Sequence, residues 1–170
     1  MNPTLTPPLG NSLESLMYGL SQLFLIPVMF TIAALFLYAF YALGAFSWQA
    51  LQRRRGQPAA FELLAMQRAA PHLSSADLEA EAVSRLEVVR IVTRVAPMLG
   101  LVATMIPMGP ALKALGDGQL SDIANSLMQA FSAVILALIA SAITYAIAHV
   151  RRRWYASDLM QAEQDAGVRP

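Results

Sequence analysis

Three stretches of this chain contain no Asp, Glu, Lys or Arg: residues 15–52, 95–112 and 123–150. A helix needs about 20 apolar residues to cross roughly 30 Å of hydrocarbon, so each stretch is a candidate membrane span. The apolar centre of the first, residues 23–46, is long enough to cross with tilt. The second carries Pro97, Pro107 and Pro110 and reads as a shorter, kinked span. A water-soluble globule of 170 residues would be unusual with three such windows buried in its core, and a composition of 56% hydrophobic against 14% charged residues points the same way. The predicted fold class is an all-α membrane protein with three transmembrane helices and a cytoplasmic helical extension.

Orientation follows from the positive residues, because short loops rich in Lys and Arg stay on the cytoplasmic side. Seven arginines lie between the first two spans (Arg53, Arg54, Arg55, Arg68, Arg85, Arg90, Arg94) and four follow the third, whereas the opposite side holds only Lys113. The N-terminus is therefore predicted outside and the C-terminus in the cytoplasm. The leader carries no Lys or Arg and the apolar stretch behind it is too long for a signal peptide, so the first span is expected to be retained. The predicted segments are an outer leader (1–16), a first span (17–48), a cytoplasmic helical segment (49–94), a second span (95–115), an outer hairpin loop (116–122), a third span (123–150) and a cytoplasmic tail (151–170).

Outside the spans, Ser74 and Asp77 form a candidate capping box for a helix that runs straight into the second span. Leu78, Ala82, Leu86 and Val89 recur at helical spacing on it, and Glu81 and Arg85 make an i, i+4 pair in the favourable order. Its apolar stripe suits either the same helix of a neighbouring subunit, or residues 58–70 and the C-terminal tail of its own chain. Arg90 and Arg94 share a face where snorkelling and positive-inside anchoring account for them. Asn11 and Glu14 are candidate caps for the first helix.

The composition excludes much chemistry. No cysteine is present, which removes disulfides, thiolate metal sites and thiol nucleophiles, and two histidines, His72 and His149, are too few for most imidazole cages. No cofactor or metal is expected. A net charge of +1 lacks the basic field of a nucleic-acid binder. The spans contain no carboxylate able to titrate at mid-depth, although such groups usually mark proton relays and ion sites in membranes. No enzyme activity is expected, since no nucleophile and base converge.

What the spans do contain is small and hydroxylated. In the third, Ser126, Ala130, Ala133, Ala137, Ala140 or Ser141, Thr144 and Ala148 recur every three or four residues, a stripe that lets another backbone approach closely. The second repeats the device with Ala96, Gly100 and Thr104. The first span is bulky and aromatic and suits lipid contact. This pattern predicts a ring of subunits in which spans two and three line the interior and span one faces the bilayer, with a compact monomeric three-helix bundle as the alternative.

The run Ala96-Pro-Met-Leu-Gly-Leu-Val-Ala-Thr104, entering the membrane after a basic amphipathic helix, resembles the AP-x-x-GLLGT signature of the MotA/TolQ/ExbB proton-channel family. The resemblance extends through the polar hairpin and the small-residue third span to His149, the Arg151 to Arg153 triplet and Trp154, about half the chain. The short cytoplasmic segment is similar to that of the minimal ExbB-like members. The resemblance implies a homopentamer in the inner membrane around the single spans of a partner resembling ExbD, TolR or MotB. That partner's membrane Asp would carry the proton, coupling proton motive force to mechanical work in the envelope. Carried over by position, Thr104 falls on the family's threonine in span two. The family's second threonine falls on Val134, and its acidic residue five positions earlier falls on Gln129. Position 134 shares a face with Leu127, Leu138, Ser141 and Tyr145, while Ser132 lies roughly opposite. Pro107 stands where the family commonly has glycine. Thr104, Val134, Ser141, Gln129 and Ser132 are thus the candidate pore or proton-path residues, and Ala96, Gly100, Ala130, Ala133 and Ala137 the candidate packing residues.

These departures bear on conduction rather than assembly. They leave a non-conducting scaffold ring as the alternative to a proton-driven motor subunit. A small permease subunit is a third reading, compatible with Pro107 and Pro110 but supported by no substrate-binding charge.

Overall fold

The computed structural model describes residues 8–56, 61–70 and 75–167. All regular structure there is helical: α1 (Pro8–Arg54), α2 (Glu62–Ala69), α3 (Ser75–Gly116) and α4 (Leu120–Gly167). Each charge-free window lies inside one of the three long helices, and all three are long and apolar enough to cross a membrane. The chain is a multi-pass membrane protein.

Helix boundaries follow local chemistry. Pro8 opens α1, where its missing N–H costs nothing, so Asn11 falls inside the helix rather than at its cap. Gly56, just past α1, has φ +67° and ends it in the left-handed region that other residues avoid. Between α3 and α4, Gly118 takes φ +72°. Its N–H donates to the Leu115 carbonyl (3.2 Å), and the Gln119 N–H donates to Ala114 (2.9 Å). This is the Schellman arrangement, and it packs the whole reversal into Asp117 to Gln119. The hairpin is therefore tighter than the seven residues expected. Ser74, the first half of the anticipated capping box, lies outside the described residues.

Pro97, Pro107 and Pro110 sit within α3, yet the helix is continuous through them. A proline at position i leaves the carbonyl of i−4 without its intrahelical donor, so Thr93, Ala103 and Ile106 carry free acceptors. Two of these are met by side chains of other helices. Ser141 Oγ donates to the Thr93 carbonyl (2.8 Å) and Gln22 Nε2 to the Ile106 carbonyl (3.4 Å). A helix in hydrocarbon requires such borrowed donors because no water is available there.

The chain divides into two compact units. The first comprises residues 1–34 and 97–138, and its core joins Val28 and Ile32 of α1 to Ala103 of α3 and Ala133 and Ala137 of α4. The second comprises residues 35–96 and 139–170. There Ala39, Ala96 and Ala140 meet, one from each long helix. At its far end Leu63 and Leu64 of α2 pack with Leu78, Ala82 and Leu86 of α3 and with Tyr155 and Ala162 of α4. The amphipathic stripe of α3 is thus covered by α2 and the tail of its own chain.

The small-residue stripe departs from expectation in its partner. Ala96, Gly100, Ala130, Ala133 and Ala137 are buried inside the chain, and the packing partners include α1. Alanine is small enough for Ile32 and Val28 to fill the space between three closely packed helices. Consequently spans two and three do not reserve their small faces for a ring interior. Exposed apolar side chains occur on all three long helices, among them Phe30 and Tyr41 of α1, Met98 and Met105 of α3, and Phe131 and Ile135 of α4. So extensive an apolar surface suits lipid or neighbouring subunits.

Candidate pore-lining faces

Thr104 is partly exposed, and its Oγ1 donates to the Leu101 carbonyl one turn back (2.7 Å). The hydroxyl's proton is thereby used, and its lone pairs remain available. Such an oxygen can accept a hydrogen bond from water or from a protonated carboxyl. Ser132 is exposed and bonded likewise to the Met128 carbonyl (2.8 Å). Among the described residues, neither hydroxyl bonds to a side chain on another helix.

Val134 sits at a close helix contact in this unit. A Cβ at Gly100 would lie 3.1 Å from the Ala137 Cβ and 3.6 Å from the Val134 Cα. Gly100, Val134 and Ala137 are therefore one packing locus, joining two candidate packing residues to a candidate path residue. Gln129 is elsewhere. It lines a largely apolar hollow of about 340 Å³ together with Leu25, Ile26, Met29 and Phe30 of α1. Thr104 is not among the residues that line this hollow.

In the second unit, Ser141 belongs to a hydroxyl cluster. While Ser141 bonds to the Thr93 carbonyl, Thr93 Oγ1 lies 2.9 Å from the Val89 carbonyl and 3.1 Å from Thr144 Oγ1. Thr144, fully buried, donates to the Ala140 carbonyl (2.8 Å) and so leaves its oxygen free to accept from Thr93. The cluster is a satisfied seam between α3 and α4, with every hydroxyl occupied. Thr93 escaped the sequence reading because it lies outside the charge-free window, between Arg90 and Arg94. The available signal was Pro97, four residues on, which frees its carbonyl.

Beside the seam, α3 and α4 border a cleft of about 380 Å³ lined by Arg90, Thr93, Arg94, Tyr145, His149 and Arg152. At the end of this unit where α2 packs, a polar clasp joins all four helices. Buried Gln49 of α1 donates to Glu62 of α2 (3.1 Å) and accepts from Arg151 of α4 (2.8 Å). Glu62 accepts also from Arg85 of α3 (2.7 Å) and from the Tyr155 hydroxyl (3.3 Å). The Glu81–Arg85 pair closes at 2.7 Å. Arg53 pairs with buried Asp158 and lies over the rings of Phe61 (4.6 Å) and Trp154 (4.8 Å). Trp154 in turn stacks on Phe46 at 5.2 Å. Burial raises the Asp158 carboxyl above its usual range, outweighing the opposing pull of Arg53. Burial, with the charge of Glu62, likewise raises the Tyr155 phenol.

Comparison with curated proteins and with solved structures finds no match. Residues 43–164 match the MotA/TolQ/ExbB proton channel family. The match takes in the end of α1, all of α2 and α3, and nearly all of α4, and therefore the AP-x-x-G run at Ala96, Thr104, the Gly100 locus and the hydroxyl seam. This chain belongs to the MotA/TolQ/ExbB proton channel family.

Proposed function

We propose that the chain is the ring-forming subunit of a proton-driven motor in the inner membrane. Five copies surround the single spans of a partner resembling ExbD or TolR, and that partner supplies the membrane Asp. The observation that carries this reading is the family match over 43–164 combined with the absence of any carboxylate from the three charge-free windows. A channel subunit without a titrating group needs its proton carrier from another chain. The leader and the hairpin lie outside in this reading; α2, the first part of α3 and the tail of α4 lie in the cytoplasm, where the arginine excess belongs.

In such a ring, Thr104 presents a lone pair to water or to the partner's protonated carboxyl. A proton moving through the potential releases ~2.3 kcal/mol per 100 mV, available for turning ring and partner against each other. The experiment is co-expression with a single-span, Asp-bearing membrane protein encoded beside this chain, followed by mass measurement and proton flux in liposomes. Five copies with partner helices and partner-dependent flux are expected. A clean monomer removes the ring.

The second reading, a non-conducting scaffold ring, is favoured by a specific observation. Val134 stands where the family's second threonine is expected, and the nearest hydroxyl on its face, Ser141, is occupied by the Thr93 carbonyl. Assembly with the partner but no flux above that of empty liposomes selects it.

A further inference from the structure

We propose that the cleft between α3 and α4 at Arg90, Arg94 and Arg152 binds the phosphate headgroup of an anionic lipid. The inference holds whether or not the chain conducts protons.

The first argument is charge. Three guanidiniums and the imidazole of His149 line a cleft of about 380 Å³, within the range of small-molecule sites, and no carboxylate lines it. The six arginines that line the clasp or the cleft fall into two groups. Arg53, Arg85 and Arg151 each meet a partner in the clasp: Asp158, Glu62 with Glu81, and Gln49. Arg90, Arg94 and Arg152 have no ion pair or side-chain hydrogen bond among the described residues. Glu87 lines the adjoining hollow with Arg90 and Arg94 but forms no ion pair with either. Positive-inside anchoring explains arginines on this side of the membrane; it does not explain three converging on one cleft that no carboxylate lines.

The second argument is depth. Arg94 is the last charged residue before the charge-free window 95–112, and the window 123–150 ends just before Arg151 and Arg152. The cleft therefore opens where hydrocarbon gives way to headgroups. The third is shape. Tyr145 and His149 stack at 6.3 Å to form an aromatic wall on the α4 side. A phosphodiester held by guanidinium forks, with its glycerol against this wall and its acyl chains running along the exposed apolar flanks of α3 and α4, meets complementary chemistry at each level.

The test uses the full-length protein, with any copurifying partner, stripped of lipid in detergent and titrated with phosphatidylglycerol or phosphatidylcholine under native mass spectrometry. The variants are R90Q/R94Q/R152Q and a charge-matched control, R54Q/R55Q/R153Q, whose residues are exposed and outside the cleft. Wild type and control should retain phosphatidylglycerol over phosphatidylcholine, and the cleft variant should lose about tenfold or more in that affinity. An excess of sodium phosphate should not displace the lipid. Equal loss in both triple variants means diffuse surface charge and overturns the site. Displacement by free phosphate reassigns it to a soluble anion and overturns the lipid. A cleft variant that dissociates to smaller oligomers while its subunits still bind phosphatidylglycerol as wild type does makes the cleft a contact between copies. If the triple variant does not fold, the single variants R90Q, R94Q and R152Q decide: each must weaken the lipid selectively, and unchanged binding in all three overturns the proposal.

Discussion

Ser141 Oγ donates to the Thr93 carbonyl at 2.8 Å, and Pro97 has deprived that carbonyl of its amide partner four residues on. The two features are halves of one device. A proline inside an apolar helix is tolerated when a neighbouring helix supplies the missing donor, and α3 uses α4 here and α1 at Ile106. The seam holding α3 to α4 thus has a direction set by a covalent feature of the backbone.

Ser141→Ala should lower thermal stability in detergent by about 1 kcal/mol or somewhat more, since it leaves a backbone acceptor without its donor. Pro97→Ala restores an N–H to the Thr93 carbonyl, so Ser141→Ala should cost clearly less in that background. A double-mutant cycle measures the coupling; additive losses would show that Pro97 and Ser141 act independently.

Gly100→Ala should loosen the helix contact in the first unit. The added Cβ meets the Ala137 Cβ at 3.1 Å, and that methyl is fixed to the backbone, so the helices must part by a few tenths of an ångström. A loss of about 1 kcal/mol is expected, rising to about 3 kcal/mol or more for Gly100→Leu. Ala137→Gly should recover part of the Gly100→Ala loss, and thermal unfolding of the four proteins checks it.

The Arg53–Asp158 pair predicts a pH dependence of definite sign. The folded carboxyl holds its proton more tightly than the unfolded one, so the folded state binds more protons between the two values. Stability therefore declines as pH rises from the ordinary carboxylate value through the folded one, and is level above it. Asp158→Asn should remove that decline. Arg53→Gln should do the reverse and cost about 3 kcal/mol or more at neutral pH, because it strands a buried carboxylate. Unfolding midpoints across mildly acidic to neutral pH read both.

Thr104→Val removes a hydroxyl at nearly constant volume. Partner-dependent proton flux should fall severalfold with assembly unchanged, because the lone pair presented by the Thr104 hydroxyl is lost while the packing locus at Gly100 is untouched. Unchanged flux would sink the assignment of Thr104 to the path.

Orientation can be read directly, since the chain has no native cysteine. A cysteine at Asp117, in the α3–α4 turn, should react with an impermeant maleimide on intact spheroplasts. One at Ser157, exposed on α4, should react only after permeabilisation. The opposite pattern would invert the topology inferred from the arginines.

The three long helices were legible because charge is nearly forbidden in hydrocarbon, so runs without it mark the spans. The α3 stripe and the Glu81–Arg85 pair were legible because both are local to one helix. Tertiary choices were not. Alternating small residues announce a close contact without naming its partner, and here that partner includes α1 through Val28, Ile32 and Ala39. Gln49 meets Arg151 across 102 positions, and no pattern within one helix encodes such a meeting. Gln129 took its place on the family register, but the rotation of α4 turns it toward α1. Of the candidate residues, Thr104 rests on its motif alone, and the occupation of Ser141 was not legible, because it depends on a carbonyl in another helix.

The Gln49 amide also fixes where α1 comes to rest against its neighbours. It donates on one side and accepts on the other, so it seats only with its nitrogen toward Glu62 and its oxygen toward Arg151. One residue of a helix advances about 1.5 Å and turns about 100°, which takes the amide beyond hydrogen-bonding reach of both. The position behaves as a detent: α1 has one latched setting against α2 and α4 and no graded series of neighbours, so any axial slip of this helix has to be a jump.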